Sequence, residues 1–377
     1  MSTLSVTNLK NAASATNNLV LNPDGSVNIS GGTLSPQTGF KNRLINPAMV
    51  IDQRNAGASV GTASGTGVYT VDRWQVVYDQ TNKFTAQQNA GAVTPPAGYT
   101  NYVGITSSSA YTVGASEQFA IRQFIEGFNT ADLGWGTANA QTVTLSFWVR
   151  SSLTGTFGGV VGGYANTNSY PFTYTISAAN TWEQKTVTIT GATAGTWNTG
   201  SSGGIGVVFG LGVGSALSGT AGAWSASRFW SATGATSVVG TSGATFYITG
   251  TQLERGSVAT PFEFRSIGQE LDLCERYFES IAFGGAGSIA IATSNYASST
   301  TPVTFVPFKT KKRASPTISF NSAGGVRYVT NTGIYGGNSA SVNAIQVDGF
   351  TLSCTSSPIA SFGFMDGMGT CSISSEL

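Results

Sequence analysis

Between Asp132 and Glu254 the chain carries one carboxylate, Glu183, and nowhere does it carry a histidine. Both scarcities restrict its chemistry. Glycoside hydrolysis needs two carboxyl groups held about 5 to 10 Å apart around the scissile bond. A pair would therefore have to draw on Asp72, Asp79, Glu117, Glu126 or Asp132. Glu183 follows Trp182 at the start of a strand-like run, where a surface ion pair with Lys185 suits it better than a general-acid role. Without histidine there is no Ser-His-Asp or Cys-His arrangement, and the commonest metal ligand is missing. No G-x-x-x-x-G-K-[ST] loop is present, and the Gly-x-Gly pairs have no helix behind them, so phosphate binding is unsupported. Asn22-Pro23-Asp24-Gly25-Ser26 offers oxygens to calcium but lacks the rest of a calcium loop and reads as a turn. No catalytic residue, metal site or cofactor is expected, and the chain is expected not to be an enzyme.

Binding without reaction is better supplied. Sugars present flat apolar faces rimmed with hydroxyls, which an exposed aromatic ring flanked by amides or hydroxyls can recognise. Tyr164, Tyr170, Trp197, Trp224 and Trp230 lie in or beside Gly/Ser/Asn-rich stretches, near Asn166, Asn168, Asn198 and Arg228. The candidate ligand residues are Tyr164, Tyr170, Trp197, Trp224, Arg228 and Trp230. Taken singly, each ring also reads as a core or loop anchor, since large aromatics bury well wherever they occur. Trp74, Trp148 and Trp182 lie within strand patterns and are assigned to packing.

The elements that must position these residues are strands. From about residue 41 to 265 the dominant period is two. Val143, Leu145, Phe147 and Val149 alternate with Thr142, Thr144, Ser146 and Trp148, as do Val187 and Ile189 with threonines, which predicts strands with one buried face. Ile205, Val207, Phe209, Leu211 and Val213 alternate mostly with glycine, giving one apolar and one bare face. Such a bare face admits either a neighbouring subunit or a loop of the same domain. Short strands separated by Gly/Ser/Thr/Asn turns predict a sandwich. Ile267, Leu271, Cys274 and Phe278 form the apolar stripe of one short helix, with Glu270, Asp272, Glu275, Arg276 and Glu279 largely off it. The chain thus divides into an N-terminal arm at residues 1–40, a β-sandwich at 41–265, a connecting helix at 266–280 and a C-terminal β domain at 281–377. The fold class is all-β. The arm alone buries too little to stay ordered and is expected to pack on a partner chain, or else to fold back as a hairpin on its own sandwich.

Charged residues make up only 9% of the chain and the net charge is +1, which leaves no electrostatic footprint for nucleic acid or an anionic membrane. The basic run Lys309 to Arg313 reads as a solvated turn or a charged sheet edge rather than a binding patch. Three cysteines, Cys274, Cys354 and Cys371, follow no CxxC spacing; Cys274 reads as a core hydrophobe, and Cys354 and Cys371 pair only if their strands meet. No signal peptide or membrane helix is expected. Without a heptad run, self-association would have to use β surfaces.

Five segments carry a family resemblance. NRLINPAMVIDQRN at Asn42 to Asn55, YTVDRW at Tyr69 to Trp74, VTLSFWVRSS at Val143 to Ser152, NTWEQKTVTITG at Asn180 to Gly191, and the junction FYITGTQLERGSVATPFEFRS followed by ELDLCERYFES occur in that order. Together they resemble tail-fibre and other appendage proteins of tailed bacteriophages. The resemblance sharpens the sandwich to a jelly roll of carbohydrate-binding-module type and implies a virion structural protein, a tail or neck fibre. It also implies assembly in the host cytoplasm, a homotrimer, docking to other virion proteins through residues 1–40, and a host-surface polysaccharide as ligand. The alternatives are a purely structural neck, head or baseplate decoration and a polysaccharide depolymerase.

Overall fold

The computed structural model describes residues 8–9, 19–21, 27–29, 32–34, 40–61, 67–164, 168–283, 295–298, 301–320, 326–330, 333–335, 338–355, 363–367 and 369–377. The docking role expected of residues 1–40 falls largely outside them. Within that stretch β1 (Asn8–Leu9), β2 (Leu19–Leu21), β3 (Val27–Ile29) and β4 (Gly32–Leu34) pair antiparallel in chain order.

The body is a sandwich of two six-stranded antiparallel sheets. Its strands are β5 (Val60–Gly61), β6 (Val68–Val71), β7 (Trp74–Tyr78), β8 (Phe84–Gln88), β9 (Val103–Ser107), β10 (Gln118–Glu126), β11 (Val143–Ser151), β12 (Gly155–Gly163), β13 (Ser169–Ile176), β14 (Glu183–Ile189) and β15 (Gly203–Val213). The short β16 (Ser218–Gly219) and β17 (Ser231–Ala232) pair parallel, and β18 (Thr245–Arg255) completes the set. The first sheet runs β13-β12-β15-β10-β7-β6 and the second β14-β11-β18-β9-β8-β5, giving a jelly-roll-type all-β fold. The period-two residues meet in one core, with Phe119 and Ile121 of β10, Phe157 of β12 and Phe209 of β15 facing Leu145 and Phe147 of β11 and Phe246 of β18.

Alternation predicts one buried face on β11, yet Thr144 and Ser146 are buried too. The cause is a polar cover over the second sheet. The Thr144 hydroxyl donates to the Gly256 carbonyl at 2.7 Å and the Thr249 hydroxyl to that of Asn101 at 2.7 Å, so these side chains satisfy the loops above them. The bare face of β15 is closed within the domain. A methyl at Gly206 would come 2.7 Å from the Phe124 ring, and one at Gly210 would come 2.8 Å from Ser231. The loop alternative, not a subunit contact, accounts for the glycines.

Helix α1 (Ile267–Glu275) is capped by Ser266, whose hydroxyl accepts from the Gln269 amide. Its stripe is rotated from the expected one. Ile267 is 63% exposed and Phe278 opens the next strand, β19 (Phe278–Phe283), while Glu270 and Glu275 are buried. The reason is the surface on which the helix docks. The turn at Asn46 has a positive φ of 53° and an amide that needs an acceptor, and Glu270 Oε1 supplies it at 2.5 Å. Cys274 and Leu271 pack on Ile45, Ile51 and Tyr277 beside it.

β19 pairs with Gly369–Ser374, which also pairs with Thr317–Phe320, and Phe350, Leu352, Val306, Ile281 and Ile373 form a second, smaller core. Cys274 and Cys371 are free, buried thiols. The basic run Lys309 to Arg313 is solvated only in part: Lys309 and Lys311 are exposed, whereas Lys312 and Arg313 are held inside. Lys312 is fully buried and donates to Glu279 Oε2 at 2.7 Å, Lys309 pairs with Glu275 at 3.2 Å, and Arg313 donates to the Ser375, Glu376 and Ser201 carbonyls. Glu275 and Glu279, two of the acidic residues expected off the helical stripe, are the partners of this run. No helix among the described residues is long and apolar enough to cross a membrane.

Candidate functional site

The loops at one end of the first sheet enclose an open groove of about 790 Å³, lined by Gly163, Tyr164, Asn168, Gly195, Thr196, Asn198, Gly203, Gly204 and Ala226. Tyr164 follows the last residue of β12 and its ring is 38% exposed. It is held edge-on against Phe124, with centroids 4.7 Å apart, and lies flat enough over β15 that a methyl at Gly203 would collide with it. Gly195, at φ +89°, serves the opposite wall, where any Cβ would strike the Asn168 amide. The Asn198 Oδ1 accepts from the Gly200 amide at 2.7 Å, which fixes the carboxamide. An exposed ring beside a hydroxyl and two carboxamides can stack on an apolar ring face and hydrogen-bond the hydroxyls at its rim.

Behind the groove stands a tryptophan cluster. Trp135 lies 4.8 Å from Trp197 and 5.2 Å from Trp224, all T-shaped, and Tyr170 closes on Trp224 at 5.3 Å. Each indole N–H ties down a loop: Trp135 donates to the Gln141 carbonyl at 2.8 Å, Trp197 to that of Ala194 at 3.1 Å, and Trp224 to that of Thr190 at 2.7 Å. Of the sequence candidates, the structure therefore brings Tyr164 into the groove and puts Trp197 and Trp224, half-buried, behind its lining. Tyr170 is buried, and burial raises its phenol pKa, so it supports the site from within. Trp230 is 2% exposed and packs on Val77, Ala120, Val160 and Val208 over the outer face of the first sheet, away from the other indoles. Neither Tyr170 nor Trp230 offers a ring face to a ligand. Arg228 is exposed, its guanidinium 5.0 Å from the Trp230 ring centroid. Asn166 lies outside the described residues.

Sequence reasoning missed Trp135, the central indole of the cluster, although Gly134 and Gly136 beside it make its stretch as glycine-rich as those of the chosen tryptophans. It also missed Phe124, which carries Tyr164 and is hidden in an ordinary strand pattern. The carboxylates weighed for hydrolysis have structural partners. Glu126 accepts from Arg276 and Tyr277, Asp132 from Arg43, Glu117 from Tyr111, Asp72 from Gln53 and Asp79 from the Gln118 amide. Glu183 pairs with Lys185 at 2.5 Å. Among the described residues no cluster of three or more Cys, Asp or Glu is arranged to hold a metal ion.

No protein-family model matches the chain, and neither does any curated protein. Among solved structures it is similar to the enzymatically active domain of tailspike protein 4 of bacteriophage CBA120, at 10% identity and a TM-score of 0.30 over 52% of this chain and 22% of that one. A protein from Bacteroides thetaiotaomicron matches at 11% identity and a TM-score of 0.33, over 57% of this chain and all of the other. The carbohydrate-binding module TmCBM61, solved with β-1,4-galactotriose, matches at 13% identity and a TM-score of 0.26, over 52% of this chain and 99% of its own. These scores are low, and the functional reading rests on the groove itself.

Proposed function

We propose that this chain is a virion appendage protein of a tailed phage, a tail or neck fibre, that binds host-surface glycans through the Tyr164 groove without catalysis. The observation that carries the binding role is the groove: one exposed ring seated on glycine, with Thr196, Asn168 and Asn198 around it, on loops pinned by three indoles. These groups stack and hydrogen-bond rather than transfer protons. The phage setting rests on the resemblance of the five sequence segments. Homotrimer formation, docking through residues 1–40 and assembly in the host cytoplasm belong to the same proposal. Several copies on one particle would raise the avidity of a shallow site.

The test is binding of labelled protein to host cells, to cells stripped of surface polysaccharide, and the same with Tyr164→Ala. Saturable binding lost both on stripping and in the variant is expected. Binding that survives stripping removes the glycan role. A second reading, a decoration that contacts only virion proteins, draws on the exposed Phe40, Phe128, Phe264 and Ile267. It is favoured if assembled protein binds no cells.

A further inference from the structure

Next to Tyr164, the outer face of the first sheet carries different chemistry. Alternation along β10 sends Phe119, Ile121 and Ile125 into the core and leaves Arg122 and Phe124 on the outer face. The Phe124 ring that supports Tyr164 also carries the Arg122 guanidinium, 4.5 Å from its centroid. Arg122 lies 5.2 Å from the Trp230 centroid and Arg228 lies 5.0 Å from the same centroid, so one indole holds two cations. Gln75 of β7 fixes the half-buried Arg122 by accepting from its Nε at 2.9 Å, which leaves the two Nη groups of the fork without an acceptor among the described residues.

Among the other described arginines, Arg54 and Arg73 pair with Glu376, Arg265 with Glu263 and Glu270, and Arg276 with Glu126, while the half-buried Arg150 and Arg313 donate to backbone carbonyls. Arg122 and Arg228 have no carboxylate partner among the described residues. Burial pushes the Arg122 pKa down to about 10, and the charge of Arg228 pushes the same way. Two guanidinium groups set on one indole, with the charge of one acting on the other and no carboxylate partner for either among the described residues, are a poor arrangement for stability and a good one for an anionic, bidentate acceptor.

We infer that Arg122 and Arg228 form a subsite for the carboxylate of an acidic sugar residue, in a saccharide whose neighbouring residue stacks on Tyr164. The inference rests on the glycan reading and narrows it to uronate- or sialate-bearing chains. A neutral sugar would leave the fork unfilled, whereas a carboxylate would accept from the Nη groups of Arg122 while Arg228 adds charge from the exposed side.

The experiment is calorimetric titration of the full chain with oligosaccharides containing glucuronate, galacturonate or sialate, each beside its carboxyl-reduced counterpart, at two salt concentrations. At least one acidic form is expected to bind about tenfold or more tighter than its reduced form, with an advantage that shrinks as salt rises. Arg122→Gln and, separately, Arg228→Gln are expected to erase that advantage while binding of the reduced form is unchanged. Arg228 is exposed, so its variant reads out charge without disturbing the fold. Equal binding of acidic and reduced forms, or an advantage that persists in both variants, overturns the inference and leaves the glycan reading standing. Binding of neither form, by protein whose thermal unfolding is cooperative, overturns both.

Discussion

Asp72 occupies the turn between β6 and β7 and is buried, with its carboxylate held by the Gln53 amide nitrogen at 3.1 Å and the Gln53 Nε2 at 2.5 Å. Desolvation outweighs those bonds and pushes its pKa up to about 6, from 3.8. Between those two pH values the folded chain holds more protons than the unfolded one, so stability falls as pH rises through the window, by about 3 kcal/mol at most. This is opposite in sign to a salt-bridged aspartate. Asp72→Asn removes the ionisable group and is expected to match the parent near pH 4 and exceed it by up to about 3 kcal/mol at pH 7 in urea unfolding. A constant offset between the two proteins at both pH values would refute the assignment. The same residue shows where sequence reading stops. Asp72 was legible as a carboxylate, but its burial follows from the Asn42 to Asn55 segment lying over the turn, and nothing local to YTVDRW announces that.

At the scale of elements, period two located the strands because each has a face in the shared core, and Phe147, Val149 and Leu145 of β11 lie where alternation puts them. The charged residues were misread because their partners are remote. Lys312 meets Glu279 across 33 residues and Arg276 meets Glu126 across 150, separations at which no spacing rule operates. Of the candidate groove and the indoles behind it, Tyr164 and the half-buried Trp197 and Trp224 stand out in the sequence from the composition around them. Arg122 does not, because a lone cation inside QFAIRQFIE looks like any solvent-facing strand residue until Trp230 is seen above it. The Lys312–Glu279 pair, both side chains fully buried, joins the turn after Thr301–Pro307 to β19. Burial lowers the Lys312 pKa while Glu279 raises it. Lys312→Met leaves the Glu279 carboxylate buried without its cation and is expected to cost about 3 to 5 kcal/mol. The double variant Lys312→Met/Glu279→Leu is expected to recover most of that in chemical unfolding, because it removes both desolvation costs. A double variant as unstable as the single one would show that the pair contributes more than it costs to bury.

For the whole molecule, the decisive contact is the one that fastens the C-terminal β domain to the sandwich. Arg73 stands at φ +70° in the turn between β6 and β7, a conformation that costs a non-glycine residue energy, and it is almost completely buried. Its guanidinium stacks on the Tyr277 ring at 3.6 Å, donates to the Phe124 carbonyl at 2.6 Å and pairs with Glu376, which also takes Arg54 at 2.6 Å. A strained backbone and a buried charge are held in place together only while the C-terminal strand and its tail are docked. Sandwich and C-terminal domain should therefore unfold as one cooperative unit, since separation exposes apolar surface around Tyr277 and leaves Arg73 without its anion in a desolvated site. Scanning calorimetry of the full chain is expected to give a single transition. Glu376→Gln strips the charge from the centre of this contact and is expected to destabilise the docked state by about 3 kcal/mol or more. The variant should resolve into two transitions, the lower belonging to the smaller core of Phe350, Leu352 and Ile373. The upper should retain the sandwich and, with it, the Tyr164 groove, so saccharide added in excess should raise the upper transition and leave the lower one unmoved. If the ligand raises the lower transition instead, the binding surface extends onto the C-terminal domain and the groove at the end of the sandwich is not its seat.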